Sequence, residues 1–336
     1  MKNEARLPKQ VDVLVVGSGF AGLAAAIEAS LKGGQVIVLE KMKAIGGNSI
    51  LSDGGIAAPD TEEQRNAGIV DSADLMFDDM MKSGEGRNDP KIVRTICEHA
   101  AEAYAWSKDV LNVPYMKRVE IFGGHQVPRC YTPLSISGRT MMLQMKAKLE
   151  ELRTPIYLGV SVDSFIFSDD HSIIGVNVNR NFSFNQEVVK ETEEIFASKA
   201  IIIAGGGFAA DHAFRVKCGV QYDTSLQTTN KISATSGLLQ ECMAIDATTV
   251  NLDLLQCIPW TTPDEAGYGV GGRFGDYVVS SSGILVNPRT GERFVDELGN
   301  RKNVTEKIIE TGGWVVGIVD AMTVNALEWD IGTALK

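Results

Sequence analysis

Residues 11–30 read VDVLVVGSGFAGLAAAIEAS: an apolar run, a turn with glycines at 17, 19 and 22, then a stretch of small residues. A buried strand that enters such a turn and leaves it as a helix is the first half of a βαβ unit. Gly17 permits a tight turn, Gly19 lets backbone N–H groups approach a pyrophosphate, and Gly22 lets the helix pack close to the strand. The helix start offers unpaired N–H groups and a partial positive charge to phosphates. A second apolar run, Val36-Ile37-Val38-Leu39, ends in Glu40. A carboxylate there can accept ribose hydroxyls and would repel a 2′-phosphate. The unit predicts a dinucleotide site in an α/β fold, without separating NAD from FAD. The next stretch, 41–55, contains Gly46-Gly47-Asn48 and Gly54-Gly55. It reads as extended backbone with few bulky side chains, suited to a flat ring lying against main chain and equally to an ordinary flexible loop.

The chain has 336 residues, 44% of them hydrophobic, which is enough for a packed core and two domains. Its net charge of −11 argues against nucleic acid and anionic membrane surfaces as partners. No apolar run approaches the length of a membrane span. The opening MKNEARLPKQ has no apolar signal core, so a cytoplasmic location is expected; a periplasmic mature form, its signal removed, would read the same. Cys97, Cys130, Cys218, Cys242 and Cys257 are scattered, with no CxxC or CxxCH. That argues against a disulfide framework, a zinc site or an attached c-type haem. His99, His125, His171 and His212 form no i, i+4 pair, and no metal site is expected.

Helices are expected at 72–82, at 90–108 behind the Asp89-Pro90 start signal, and at 138–152. Short strands at 156–158, 162–167, 173–179 and 182–189 read as an antiparallel meander, with a turn at 169–172. SKAIIIAGGG at 198–207 reads as a second buried strand of the parallel sheet. The chain thus leaves the nucleotide fold after about residue 51 and returns near residue 200. GILVNPRTGERF predicts a hairpin, with Ile284, Leu285 and Val286 on one arm and Arg293, Phe294 and Val295 on the other.

VDVLVVGSGFAGLAAAIEA, EKMKAIGGNSILSDGG, DSADLMFDDMMKSGEGRNDPKIV, GGHQVPRCYTP, KAIIIAGGGFA and SGILVNPRTGERFVDE occur in that order. Together they resemble the flavoprotein part of the succinate dehydrogenase/fumarate reductase superfamily, the soluble flavocytochrome-c-type fumarate reductases above all. The resemblance runs over nearly the whole chain. It implies an FAD-binding Rossmann-like domain with an inserted antiparallel sheet (1–250) and a partial α+β capping domain (251–336). It also implies hydride transfer from flavin N5 to an activated C=C bond, with an arginine delivering the proton. By motif position the FAD contacts beyond Gly17, Gly19 and Gly22 would be Phe20, Ala21, Glu40, Lys41, Gly47, Asn48, Ser49, Asp53 and Gly54. Val162 would lie near the adenine, with Ala204, Gly205, Gly206, Ser236 and Gly237 completing the set. Asn48 stands where membrane-bound relatives carry a flavin-linking histidine, which implies non-covalent FAD. RFVDELGNRK places the proton-donor arginine at Arg301.

The chain also departs from that pattern. Where the family has QxHP with a substrate-binding histidine, it has Gln256-Cys257-Ile258-Pro259. Isoleucine cannot hydrogen-bond a carboxylate, and burying one beside it is costly. The family's TEAVRG segment is replaced; counting back from GILVN puts Gly275 at the substrate and Asp276 in the acidic relay, with Arg273 nearby. The insert at 260–272 is longer than the family's. Ile258, Trp260 and Tyr277 together suit a monocarboxylate enoate with an apolar tail, of acrylate, methacrylate, cinnamate or urocanate type. The resemblance further implies that the family's C-terminal third, which completes the FAD domain and clamps the substrate, lies in a longer protein or a second chain. Two other readings stand beside this one: a ketosteroid-type FAD dehydrogenase using Tyr277, against which Arg301 argues, and a flavin-binding protein without turnover. Electrons would come from a separate cytochrome or reductase subunit.

Overall fold

The computed structural model describes residues 6–326, except 181, 185–191, 221–225, 227, 260, 263–273, 276–278 and 280–282. In chain order the strands are β1 (Gln10–Val16), β2 (Val36–Glu40), β3 (Ile56–Ala57), β4 (Cys130–Tyr131), β5 (Ile156–Leu158), β6 (Ser161–Phe167), β7 (Ile173–Asn179), β8 (Thr192–Ile203), β9 (Ile284–Val286) and β10 (Val316–Ile318). The helices are α1 (Phe20–Leu31), α2 (Glu62–Asn66), α3 (Ala73–Ser83), α4 (Pro90–Asp109), α5 (Gly138–Glu151), α6 (His212–Lys217), α7 (Gly237–Met243), α8 (Arg301–Glu310) and α9 (Ala321–Ala326).

One six-stranded sheet, ordered β5-β2-β1-β8-β7-β6, organises the nucleotide domain. Its β5, β2, β1 and β8 run parallel, while β7 and β6 are antiparallel additions. The meander and the returning strand, separate in the sequence reading, are joined by β8. Residues 192–196 of β8 pair with β7, and residues 196–203 pair with β1. A strand of twelve residues can serve two neighbours in succession, and the polar break at Ser198-Lys199 hides that continuity in the sequence. Of the strand expected at 182–189, residues 182–184 are not extended ladder and the rest lie outside the described residues.

The helix α1 buries Leu23, Ala26 and Ile27 fully against Val13, Val15, Val36 and Val38 of the sheet and Met141, Met142, Met145 and Leu149 of α5. Its small residues set how close it lies to the strands. On the opposite face Leu14, Ile37, Leu39, Phe165, Val176, Val178 and Ile195 pack together. Asp89 caps α4 by accepting from Lys91 N at 2.8 Å, with Pro90 at the first helical position.

In the C-terminal part, Val279, Leu285, Val304 and Ile308 form a small core of their own. The ladder partner of β9 is β10, not residues 293–295. Arg293 keeps only an isolated bridge to Val286. Glu297 explains the change. Its buried carboxylate accepts the Leu285 amide at 2.6 Å and binds the Arg293 guanidinium at 2.6 Å, so one side chain takes the place of a second hairpin arm. Among the described residues no helix is long and apolar enough to cross a membrane.

Candidate cofactor site

The three glycines of the turn do different things. Gly17 has φ +107°, and a Cβ built on it would sit 2.2 Å from the Ala204 carbonyl oxygen, just past the end of β8. A Cβ on Gly22 would sit 1.9 Å from the Gly17 carbonyl oxygen. Both close the fold around the turn. A Cβ on Gly19 would meet only the Ser49 hydroxyl, at 3.2 Å. Gly19 is the N-cap of α1, with no side-chain cap and no acid in the first turn. The Phe20 amide donates to Ser49 Oγ at 3.0 Å, a cap borrowed from the 3-10 turn Gly47–Leu51. The helix start therefore keeps its positive end accessible beside an unobstructed glycine.

Glu40 is buried, and its carboxylate is already engaged. One oxygen accepts from the Ser18 amide at 3.1 Å and the Ser18 hydroxyl at 2.5 Å; the other accepts from the Met42 amide at 2.8 Å. Ser18 in turn accepts from the Gly46 amide through its carbonyl, at 3.1 Å, and its hydroxyl, at 3.2 Å. Glu40 thus pins the glycine turn to the 41–46 segment. A carboxylate offers about four acceptor positions, which leaves room for one ribose hydroxyl.

Beside Glu40 lies a cavity of 410 Å³, within the usual range of small-ligand sites. It brings together Gly17, Glu40, Lys41, Val162 and Gly237 from the expected set with Asp163, Asn179, Phe182 and Leu238, which sequence reasoning missed. Lys41 donates to Thr235 Oγ1 at 2.9 Å. Burial pushes its pKa down, while Glu40 and Asp211 oppose the shift.

In the 46–55 segment, Asn48 donates to the Asn230 side chain and accepts from the Lys231 amide at 2.9 Å. Gly54 has φ +78°, and a Cβ there would lie 3.0 to 3.2 Å from Gly138 and Pro133. Asp53 accepts from the Gly55 amide at 3.2 Å. Ser236 is fully buried and donates its hydroxyl to Asp211 at 2.6 Å, so it is a fixed support for the Gly237 helix start. That bond is the main cause holding the Asp211 carboxyl below its ordinary pKa.

A model of the FAD binding domain matches residues 12–325. The chain belongs to this family of FAD-binding flavoproteins. The acrylate reductase flavoprotein subunit of Shewanella woodyi is 34% identical over 303 residues, covering 89% of this chain and 59% of that protein. The urocanate reductase of Eggerthella lenta is 29% identical over 334 residues, covering 96% of this chain and 53% of its own. The open conformation of a flavocytochrome c3 fumarate reductase superposes with a TM-score of 0.78 at 26% identity, covering 95% of this chain and 54% of that one. The flavoprotein chain thus spans little more than half the length of these relatives.

The residues of this flavoprotein fit FAD on their own chemistry. The unobstructed start of α1 suits a pyrophosphate, Glu40 a ribose, the adjoining cavity an adenine, and the glycine-rich 46–55 backbone a flat ring. The expected cap residues are placed less completely. Arg301 opens α8 and is exposed. That helix start is tied to the nucleotide domain by Asn300 Nδ2 donating to the Ser83 carbonyl at 3.3 Å and by Lys302 pairing with Glu85 at 3.0 Å. Gly275 is buried. Ile258 is half-buried and packs against the Val279, Leu285, Val304 and Ile308 cluster, a folding reason for an apolar residue there. Trp260, Arg273, Asp276 and Tyr277 lie outside the described residues.

Behind the Gly54 loop the flavoprotein carries a buried ion network that the sequence reading missed. Arg129 is fully buried; it donates to both oxygens of Asp71 at 2.9 and 2.8 Å and to Asp79 at 2.6 Å. Gln64 and Gln126 donate to the same two carboxylates, each at 2.7 Å. His125 Nδ1 lies 3.3 Å from Arg129 Nη1. A guanidinium only donates, so Nδ1 accepts and the neutral ring carries its proton on Nε2. Burial, then the Arg129 charge, lowers the His125 pKa. An unfolded histidine takes up a proton near 6.5, while the folded one resists protonation until lower pH. The unfolded state then binds more protons in that window, so this group's contribution to stability falls as pH drops below about 6.5. Thermal unfolding scanned from pH 7.5 to 5 should show that loss in the wild type, and His125→Gln should flatten it. An equal acid limb in the variant would refute the assignment.

Proposed function

We propose that this chain carries the FAD of a reductase acting on the C=C bond of an α,β-unsaturated carboxylate, with a monocarboxylate preferred to fumarate. The observation that carries the reading is the FAD cradle combined in one chain with Arg301 at the mouth of the cap helix α8. The similarity to an acrylate reductase subunit and a urocanate reductase supports the substrate class. FAD, bound here and first reduced by two electrons from the donor, would supply a hydride to one alkene carbon. Arg301 is assigned to the substrate carboxylate, where a guanidinium stabilises charge that builds as the hydride arrives, and to protonation of the neighbouring carbon. A guanidinium seldom gives up its proton, so the role requires a relay, assigned to Asp276. Ile258 offers no hydrogen bond to a second carboxylate, which supports the monocarboxylate preference. The Asn48 side chain, held by Asn230 and Lys231, supports non-covalent FAD. Electrons are assigned to a separate cytochrome or reductase subunit.

The test is a turnover screen of the holoprotein with acrylate, methacrylate, cinnamate, urocanate and fumarate, using a reduced viologen as donor. Arg301→Gln should lower turnover by roughly three orders of magnitude, about 4 kcal/mol of barrier, while the flavin spectrum and its reduction by viologen stay unchanged. Fumarate turning over faster than every monocarboxylate would sink the substrate assignment. An unaltered rate in the arginine variant would remove Arg301 from it. Acid denaturation should release all flavin into the supernatant; flavin retained on the precipitated chain would overturn the non-covalent reading.

A further inference from the structure

The glycine pair of the GGHQVPR segment is where three pieces of chain meet. A Cβ on Gly123 would sit 2.9 Å from the Leu298 carbonyl oxygen, and one on Gly124 would sit 2.8 Å from Ser83 Oγ. Residues without a side chain let both the end of α3 and the 298–300 segment approach this loop closely. The loop is itself fixed to α3, because the Gln126 amide and side chain donate to Asp79 at 3.1 and 2.7 Å.

The turn after α3 is fixed as well. Asn88 Nδ2 donates to the Met80 carbonyl at 3.1 Å, and Asn88 Oδ1 fills the place a Cβ on Gly84 would take. The turn holds Glu85 at φ +53°, a left-handed conformation that suits glycine and strains a residue with a side chain. That side chain grips α8. Both Glu85 oxygens accept from Lys302 Nζ, at 3.0 and 3.1 Å. Within its own helix Lys302 has only the more distant Glu306, at 3.8 Å. Asn300 caps α8 through Oδ1, which accepts the Lys302 amide at 2.9 Å, while its Nδ2 donates to the Ser83 carbonyl at 3.3 Å. Arg87, at the far end of the turn, pairs with Asp253 at 3.0 Å. The turn therefore holds residues 300 and 302, and Arg301 lies between them.

We infer that the 83–87 turn is the seat of α8 and that Glu85 is a positioning residue for Arg301: by holding Lys302 it fixes where α8 presents its first residue to the reaction. This rests on the assignment of Arg301 to the enoate. The Lys302 and Glu85 side chains are 49% and 60% exposed, so their pair adds little to stability. Its worth lies in placement, since a displacement of about 1 Å can cost a catalytic group about 100-fold in rate.

The experiment compares holoprotein carrying Glu85→Lys, Lys302→Glu or both changes with wild type, in acrylate turnover driven by reduced viologen. Glu85→Lys should lower kcat about tenfold, with flavin reduction by viologen and the melting temperature unchanged. The double exchange should restore kcat to within about twofold of wild type, because opposite charges face each other again. In an Arg301→Gln background, Glu85→Lys should cause no further loss. Hydrogen exchange of the amides at 298–305 should be faster in Glu85→Lys and return to the wild-type rate in the double exchange. An unchanged kcat in Glu85→Lys, a loss that the double exchange fails to restore, or a further loss without Arg301 would each overturn the positioning role. Wild-type protein that turns over no enoate would remove the Arg301 reading instead. Hydrogen exchange then decides the seat alone, and exchange at 298–305 unaltered by Glu85→Lys would overturn it.

Discussion

Gly22→Ala should give a protein that neither keeps its native fold nor retains FAD. The added methyl would sit 1.9 Å from the Gly17 carbonyl oxygen and 3.3 Å from Ala204 Cβ, so its worst contact is with backbone that cannot rotate away. Relief requires α1 to move off the sheet. That would undo the packing of Leu23, Ala26 and Ile27, all fully buried, at about 2–5 kcal/mol for a comparable loss at each large side chain. Domain stabilities are about 5–15 kcal/mol, so most of the folded population would be lost. Gly19→Ala is the matched control. Its φ of −76° suits alanine, and the nearest atom is the Ser49 hydroxyl at 3.2 Å. That variant should fold with near-native thermal stability yet bind FAD on the order of 100-fold more weakly, about 2.7 kcal/mol, because the methyl stands where backbone must approach phosphate. Circular dichroism melts and FAD titration on the two variants separate a fold glycine from a ligand glycine. Equal melting temperatures for Gly22→Ala and wild type would contradict the packing argument.

Arg129→Met should be the most damaging single change outside the cofactor cradle. Removing the guanidinium leaves Asp71 and Asp79 buried and facing each other without their cation, a situation that costs about 3–5 kcal/mol. Arg129 directly precedes β4, and β4 pairs with β3 just after Gly54. The loss should therefore loosen the ring side of the cofactor site as well as lower the melting temperature. Arg118→Ala, which breaks the more exposed pair with Glu120, should change stability by no more than about 1 kcal/mol. A shift in the Arg129 variant as small as that of the Arg118 variant would show that the network does not hold the loop.

The sequence announces the parts of this fold that are local. The apolar run, the spaced glycines and Glu40 lie within thirty residues and are legible because each is tied to its neighbours by strand or helix period. Capping residues Ser72, Asp89 and Ser137 mark three helix starts for the same reason. What escapes is whatever depends on distant pairing. Ser18 and Glu40 are 22 residues apart, Phe20 and Ser49 are 29, and Arg129 and Asp71 are 58. Apart from Phe20, which bonds through its backbone amide, these are polar residues in loops, turns or at element ends, where no periodicity distinguishes a solvated side chain from a buried one. The GGHQVPR segment stands out in the sequence, yet nothing in its spacing tells that its arginine is enclosed by two aspartates. β8 escapes likewise, since a polar break in mid-strand reads as an end. The C-terminal part is the least legible: Ile258 reads as a substrate wall, and nothing in its spacing tells that it also packs, half-buried, against the Val279, Leu285, Val304 and Ile308 cluster.

The most direct test of the enoate reductase assignment is a single anaerobic mixing experiment. The flavin of the holoprotein is reduced with a stoichiometric viologen, and acrylate or fumarate is added while absorbance near 450 nm is followed (the oxidised flavin band). The assignment predicts prompt recovery of the oxidised spectrum with acrylate, slower recovery with fumarate, and formation of one saturated acid per flavin. A flavin that stays reduced in the presence of every enoate, while reoxidising normally in air, would contradict it.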